Sequence, residues 1–197
     1  YILHKCYESL KKQTDKSFVW IIVDDGSTDN TEELVNKWII ERKIEIVYYK
    51  KDNGGKASAL NFALDRIKTD FWVCLDSDDS FSNKAIELAI KELRKIKNNP
   101  KYCGILALRN TPNGEVLGGK RIPQKVTETT VMEVVNKYKI RSEFIQFYKT
   151  EATSNYRFPQ IPGEKFISPE YLAMEINKKY KFIVSQNTFC YCEYLSD

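Results

Sequence analysis

The chain lacks the features that mark several common functions. Its one histidine is His4. Cys190 and Cys192 are one residue apart and would share a face of a strand. A zinc centre there would need further ligands, and His4 is far away in sequence. The five cysteines, Cys6, Cys74, Cys103, Cys190 and Cys192, are odd in number and lack framework spacing, which suits a reducing cytoplasm. No apolar run approaches the roughly 18 residues of a membrane-spanning helix, and there is no signal-peptide pattern. No internal repeat or low-complexity tract interrupts the chain. No GxGxxG follows a predicted strand, and no Walker A spacing occurs, which argues against a Rossmann dehydrogenase and a P-loop enzyme. Excess charge is also small. A net +4 does not call for nucleic acid, though it suits an anionic substrate or weak attraction to an acidic membrane surface.

What is present is an ordinary globular composition. With 197 residues, 29% charged and 42% hydrophobic, the chain is long enough for one folded α/β domain with a full core. Residues 1–13 carry Ile2, Leu3, Cys6 and Leu10 at helical spacing. Residues 17–23 form a strand so continuously apolar that it should be central and parallel. A helix over 31–42, capped by Asp29 or Asn30, and a strand over 44–49 follow. Then come a helix to about 67, a strand over 71–75, a helix over 83–96 and a strand over 103–108. This alternation is the pattern of a doubly wound α/β sheet.

After residue 110 the rhythm changes. Loops rich in glycine and proline separate a helix over 129–138, a strand over 143–149 and a helix over 169–179 that Ser168 should cap. In the strand over 143–149, Ile145 and Phe147 fall on one face, and Phe144 and Tyr148 on the other. Residues 182–194 alternate enough for one or two further strands. The second half should add to the first within a single domain, 1–197.

Two polar stretches punctuate the first half. The strand over 71–75 runs into Asp76, Ser77, Asp78 and Asp79. Three carboxylates so close repel one another, so a cation should sit among them. Oxygen ligands at the end of a buried strand suit Mg2+ or Mn2+, although an acidic turn before a helix has the same composition. Asn53-Gly54-Gly55-Lys56 opens a small-residue helix. Free N–H groups and a lysine at a helix start suit a phosphate, although a tight turn with a solvated lysine reads the same way.

Taken together, Asp24-Asp25-Gly26-Ser27, Asn53-Gly54-Gly55-Lys56 and Asp76-Ser77-Asp78-Asp79 resemble, in order and spacing, glycosyltransferase family 2. The resemblance covers residues 1–110 and extends more loosely beyond. It implies a GT-A fold, a Rossmann-like three-layer α/β/α arrangement with a mostly parallel sheet and a mixed second half. It implies a metal-dependent inverting transferase that moves a sugar from a nucleotide-sugar, most often a UDP-sugar, to a hydroxyl of a surface glycan or lipid-linked oligosaccharide. Residues 1–110 would bind the donor and residues 111–197 the acceptor. By position, Asp24 and Asp25 resemble the pair that contacts nucleobase and ribose, and Lys56 the basic residue near the phosphates. Asp76 and Asp78 match the DxD motif. Asp78 is then the ligand of Mn2+ or Mg2+, and Asp76 helps hold ribose or metal. Asp79 is an additional acid that supports the ligands or starts the next helix.

The expected general base is Glu164, with Glu170 as the alternative. Many members carry Glu-Asp at that point, and this chain has Glu164-Lys165. Tyr148, Tyr156, Arg157 and Phe158 offer aromatic and basic surface for the acceptor, or belong to the core. The family usually begins with a strand and loop ahead of the first helix, and neither precedes Tyr1, so a fragment or an incomplete start is expected. The end at Asp197 reads as equally abrupt. The cysteine usage points to a cytoplasmic protein, with peripheral association at the inner face of the membrane left open. Two other readings remain at this stage: an inactive nucleotide-sugar-binding or scaffolding module, and a sugar nucleotidyltransferase.

Overall fold

A computed structural model describes residues 2–161, 163–164 and 167–192. The elements run α1 (Ile2–Lys11), β1 (Val19–Asp24), α2 (Thr31–Glu41), β2 (Glu45–Lys50), α3 (Lys56–Leu64), β3 (Phe71–Val73), β4 (Ser80–Phe81) and α4 (Ala85–Ile96). They continue with β5 (Tyr102–Leu108), β6 (Glu128–Thr129), α5 (Val131–Asn136), β7 (Phe144–Lys149), α6 (Thr150–Thr153), α7 (Glu170–Asn177), β8 (Lys181–Val184) and β9 (Cys190–Tyr191). No helix among the described residues is long and apolar enough to cross a membrane.

Local chemistry explains two of the helix starts. The Asp29 carboxylate accepts the Thr31 N–H at 3.0 Å and the Thr31 hydroxyl at 2.6 Å, while the Asn30 side chain makes no cap bond. Thr130 and Glu133 form a reciprocal capping box on α5. The expected cap of α7 is different: Pro169 occupies the cap position, and the Ser168 hydroxyl donates to the Glu170 carboxylate instead of accepting a backbone N–H.

The largest sheet has the order β3-β7-β5-β8-β6. Strand β7, from the second half, lies between β3 and β5 and is antiparallel to both. The parallel ladders are β1 with β2 and β5 with β8, and β4 pairs antiparallel with β9. Gly104 permits the close β5–β7 approach, because a Cβ there would lie 1.8 Å from the Phe147 carbonyl oxygen. Side chains alternate into two cores. Ile105, Ala107, Ile145 and Phe147 face the cluster built with α1, α2 and α4. Leu106, Leu108, Phe144 and Tyr148 face the cluster built with α5 and α7. The faces expected for the strand over 143–149 are therefore those observed, and helices cover both sides of the sheet.

Strand β1 departs from the expectation of a central strand. It is parallel, but among the described residues it pairs with β2 alone. Beside it, among the described residues, lies a cavity of about 1160 Å3 that residues of β1 and β3 both line. The walls are residues 17–23 and 69–78 with apolar side chains of α1, α3 and α4, so Val19, Trp20 and Ile21 are only half-buried.

Candidate active site

The carboxylates that the sequence singles out lie at or just beyond the carboxyl ends of β1 and β3, where an open α/β sheet presents ligand-binding groups. Asp24 ends β1 and is buried. It accepts the Tyr48 hydroxyl at 2.6 Å and the Ser27 N–H at 2.7 Å. Burial pushes its pKa up, and these two donors more than offset the push, so the carboxyl titrates below its ordinary value. The turn that follows depends on Gly26, at φ 83°, where a Cβ would come within 2.9 Å of the Asn53 backbone nitrogen. That contact brings the glycine turn against Asp25.

Asp25 then accepts Gly54 N–H at 3.0 Å, Gly55 N–H at 2.7 Å and Lys51 Nζ at 2.7 Å. Its pKa is lowered as well, with burial outweighed by these bonds. The N–H groups expected to receive a phosphate are thus occupied by a carboxylate of the chain. The anion at this helix start is Asp25.

Lys56, the first residue of α3, turns toward the acidic stretch and contacts Asp76 at 2.6 Å. Arg109, just past β5, reaches Asp76 at 3.3 Å and bonds Asp79 more closely. Its Nε donates to the Phe144 carbonyl at 3.1 Å, which fixes the guanidinium against β7. The cations expected among the acids are therefore Lys56 and Arg109, at least for Asp76 and Asp79. Burial raises the Asp76 pKa, but Lys56 and then Arg109 bring it below the ordinary value. Asp79 goes the other way: burial, with the charges of Asp76 and Asp78, outweighs Cys192 and Arg109 and raises it.

Asp79 is not a helix start. It is buried, and β4 separates it from α4. Its carboxylate lies with Cys190 and Cys192, with one ligand-type atom from each within 4.8 Å of the others. Arg109 Nη1 is 3.6 Å from Cys192 Sγ, so a guanidinium already supplies positive charge to this buried group.

Asp78 differs from both neighbours. It is exposed and has no hydrogen bond or ion pair among the described residues. It lines the cavity beside β1 together with Asp25, Lys56 and Asp76, and a smaller one with Lys5, Ser80, Pro112 and Tyr191. An unpartnered carboxylate beside a second one, open to solvent, fits a hard divalent cation that keeps some of its waters.

The second-half residues sort differently. Glu164 is exposed, in a turn where its N–H donates to the Ile161 carbonyl, and Glu170 begins α7. Neither lines the cavity that Asp25, Lys56, Asp76 and Asp78 share. Tyr148 and Phe158 are buried and do not form an acceptor platform. Tyr148 stacks on Trp72 at 4.5 Å, and Phe158 exchanges two backbone bonds with the Asn61 side chain. Arg157 is exposed and pairs with Asp65, while Tyr156 is half-buried. The sequence reading missed Arg109, Tyr48 and Lys51. A charged residue directly after the apolar run 103–108 was the available signal for Arg109.

The sequence model of Glycosyl transferase family 2 matches residues 2–163. The teichoic acid poly(glycerol phosphate) polymerase of Staphylococcus epidermidis is 36% identical over 88 residues, which is 44% of this chain and 12% of that protein. The chain thus spans about an eighth of that relative. Among solved structures, S. aureus TarS in complex with UDP-GlcNAc superposes with a TM-score of 0.68 at 20% identity, over 99% of this chain and 56% of that one. The mannosyltransferase PcManGT of Pyrobaculum calidifontis, in complex with GDP-Man and Mn2+, gives 0.66 at 17% identity, over 96% and 52%. These likenesses establish the GT-A fold.

Proposed function

The chain belongs to glycosyl transferase family 2 and is a transferase, and from that premise we propose a metal-dependent inverting transfer of sugar from a UDP-sugar to a hydroxyl of a surface glycan or lipid-linked oligosaccharide. The observation that carries this reading is the convergence of Asp25, Lys56, Asp76 and Asp78 on one cavity, with Asp78 alone unpartnered among the described residues. The proposal treats residues 1–197 as one domain, with the donor held by residues 1–110 and the acceptor by residues 111–197. The UDP-GlcNAc and GDP-Man complexes of the two structural relatives support a nucleotide-sugar donor, and the Mn2+ in one of them supports a divalent cation. The teichoic acid polymerase supports a cell-surface polymer as acceptor.

In this reading Asp78 and Asp76 hold Mn2+ or Mg2+, which would offset the charge that builds on the leaving diphosphate. Asp76 is kept ionised by Lys56 and Arg109, so it is ready to ligate at neutral pH. Asp25 stiffens the glycine turn beside the donor, and Asp24 holds the end of β1. Lys56 exchanges its bond with Asp76 for a donor phosphate. Glu164 takes the proton of the attacking hydroxyl, with Glu170 as the alternative base.

Asp78→Ala tests the metal assignment. It should abolish Mn2+-dependent UDP-sugar turnover while the far-ultraviolet circular dichroism stays unchanged, and full activity would refute the assignment. Glu164→Gln should still bind UDP with metal and lose transfer. Unchanged transfer would move the base to another residue.

A further inference from the structure

The chain's small net charge is unevenly placed. Residues 109–143, between β5 and β7, carry seven basic and four acidic side chains, against 24 and 23 in the rest of the chain. Three of those four acids are engaged. Glu128 binds Lys101 and Tyr102, Glu133 closes the capping box of α5, and Glu143 lies 3.8 Å from Arg109. The cations are not engaged in the same way. Lys120, Arg121, Lys125, Lys137, Lys139 and Arg141 are all exposed, and none forms an ion pair among the described residues. Elsewhere Lys50, Lys51, Lys56, Lys97 and Lys101 each pair with a carboxylate. Lys37, Lys43, Lys84, Lys91 and Lys95 are exposed without an ion pair among the described residues, but they lie in stretches where acidic side chains nearly balance the basic ones.

The two loops that carry these cations are tied together. Lys120 Nζ donates to the Tyr138 carbonyl at 2.7 Å, and the Ser142 hydroxyl bonds the Leu117 carbonyl. Gly118, at φ 75°, passes so close that a Cβ would meet the Arg141 carbonyl at 2.8 Å. Both loops hang from the candidate site. Leu117 N–H donates to the Arg109 carbonyl, and Arg109 N–H to the Glu143 carbonyl, each at 3.1 Å.

We propose that this unpaired basic surface binds an anionic polymer, and that the acceptor of the transfer is such a polymer, with phosphate or carboxylate groups repeating along it. The substrate class rests on the transferase reading above. The binding surface rests on charge placement alone. A local excess of unpaired cations attracts a polyanion at long range and gives binding that weakens steeply with salt. A lipid surface fits less well, because membrane-lying segments add a face of exposed apolar side chains. Met132 is the large apolar side chain exposed in this region, while Ile39 and Ile40 lie on α2.

The test uses the whole chain and labelled inorganic polyphosphate, without divalent metal, at low and physiological salt. Polyphosphate should bind, more tightly at low salt. The triple variant Arg121→Glu, Lys125→Glu, Arg141→Glu should weaken binding by about tenfold or more. Lys84→Glu, Lys91→Glu, Lys95→Glu makes the same charge change on and beside α4 and should alter it less than about twofold. Equal losses in the two triples would reduce the effect to net charge and overturn the proposal, and so would absence of binding. Binding to phosphatidylglycerol vesicles but not to polyphosphate would make this a membrane-facing surface and also overturn it. Should the triple variant fail to fold, the pair Arg121→Gln, Lys125→Gln is read in the same way. Metal-dependent UDP-sugar hydrolysis is measured in parallel. Patch-dependent binding without hydrolysis would refute the transferase chemistry and leave the binding surface standing, and hydrolysis without binding would do the reverse.

Discussion

The two halves of the molecule handle charge in opposite ways. In residues 1–110, Asp24, Asp25 and Asp76 are each held by at least two internal donors, from Tyr48, Ser27, Lys51, Gly54, Gly55, Lys56 and Arg109, and Asp79 is paired with Arg109. In the loops between β5 and β7, six cations have no carboxylate partner among the described residues. The first arrangement is rigid and presents one open carboxylate, Asp78. The second leaves its charge available for whatever approaches. A site that must place a small ion and a diphosphate needs fixed geometry, whereas a surface that collects a polymer needs only the field.

The sharpest way to break this comparison is to remove the residue that joins the halves. Arg109→Ala leaves Asp79 buried without its ion-pair partner and removes the guanidinium's bond to the Phe144 carbonyl. A loss of about 3–5 kcal/mol is expected from urea unfolding, as for a broken buried pair, with a partial return in Arg109→Lys. Tyr48→Phe should cost less, about 1–2 kcal/mol, because Ser27 still serves Asp24.

Acid should destabilise the same half. The folded-state values of Asp24 and Asp25 are depressed, so the unfolded chain takes up protons first as the pH falls. Their contribution is complete above the unfolded aspartate value of about 3.9 and is lost as pH drops through the lower folded values. A urea series across that range should show the loss in the wild type and a smaller loss in Tyr48→Phe. The smallest effect belongs to the other half. Lys137→Glu removes no ion pair and should change stability by no more than about 0.5 kcal/mol. A larger change would mean that these cations are structural.

Much of residues 1–110 was legible because its signals are local. Apolar runs that end in acids placed β1 and β3, and the glycine turn placed α3. What could not be read was set by distant partners. Asp79 stayed open between supporting the ligands and starting a helix because its partner Arg109 lies 30 residues away in sequence. The glycine turn looked like an anion site because the carboxylate that occupies it, Asp25, comes from another strand end. Tyr148 and Phe158 stayed open between acceptor surface and core, because the strand β7 that runs between β3 and β5 and buries Tyr148 against Trp72 comes from distant pairing. The two-residue strands β4 and β6 are too short for periodicity to register. The half-buried state of β1 goes with its single partner among the described residues, which the strand's own apolar pattern does not report.

The central claim is that Asp78 stands open to hold a divalent cation against a donor diphosphate. Titration calorimetry of UDP into the protein, with and without Mn2+, tests it most directly, with Asp78→Asn as the comparison. The account predicts UDP binding that strengthens at least about tenfold with Mn2+ in the wild type, and no such strengthening in the variant. Equal Mn2+ enhancement in both proteins would contradict it.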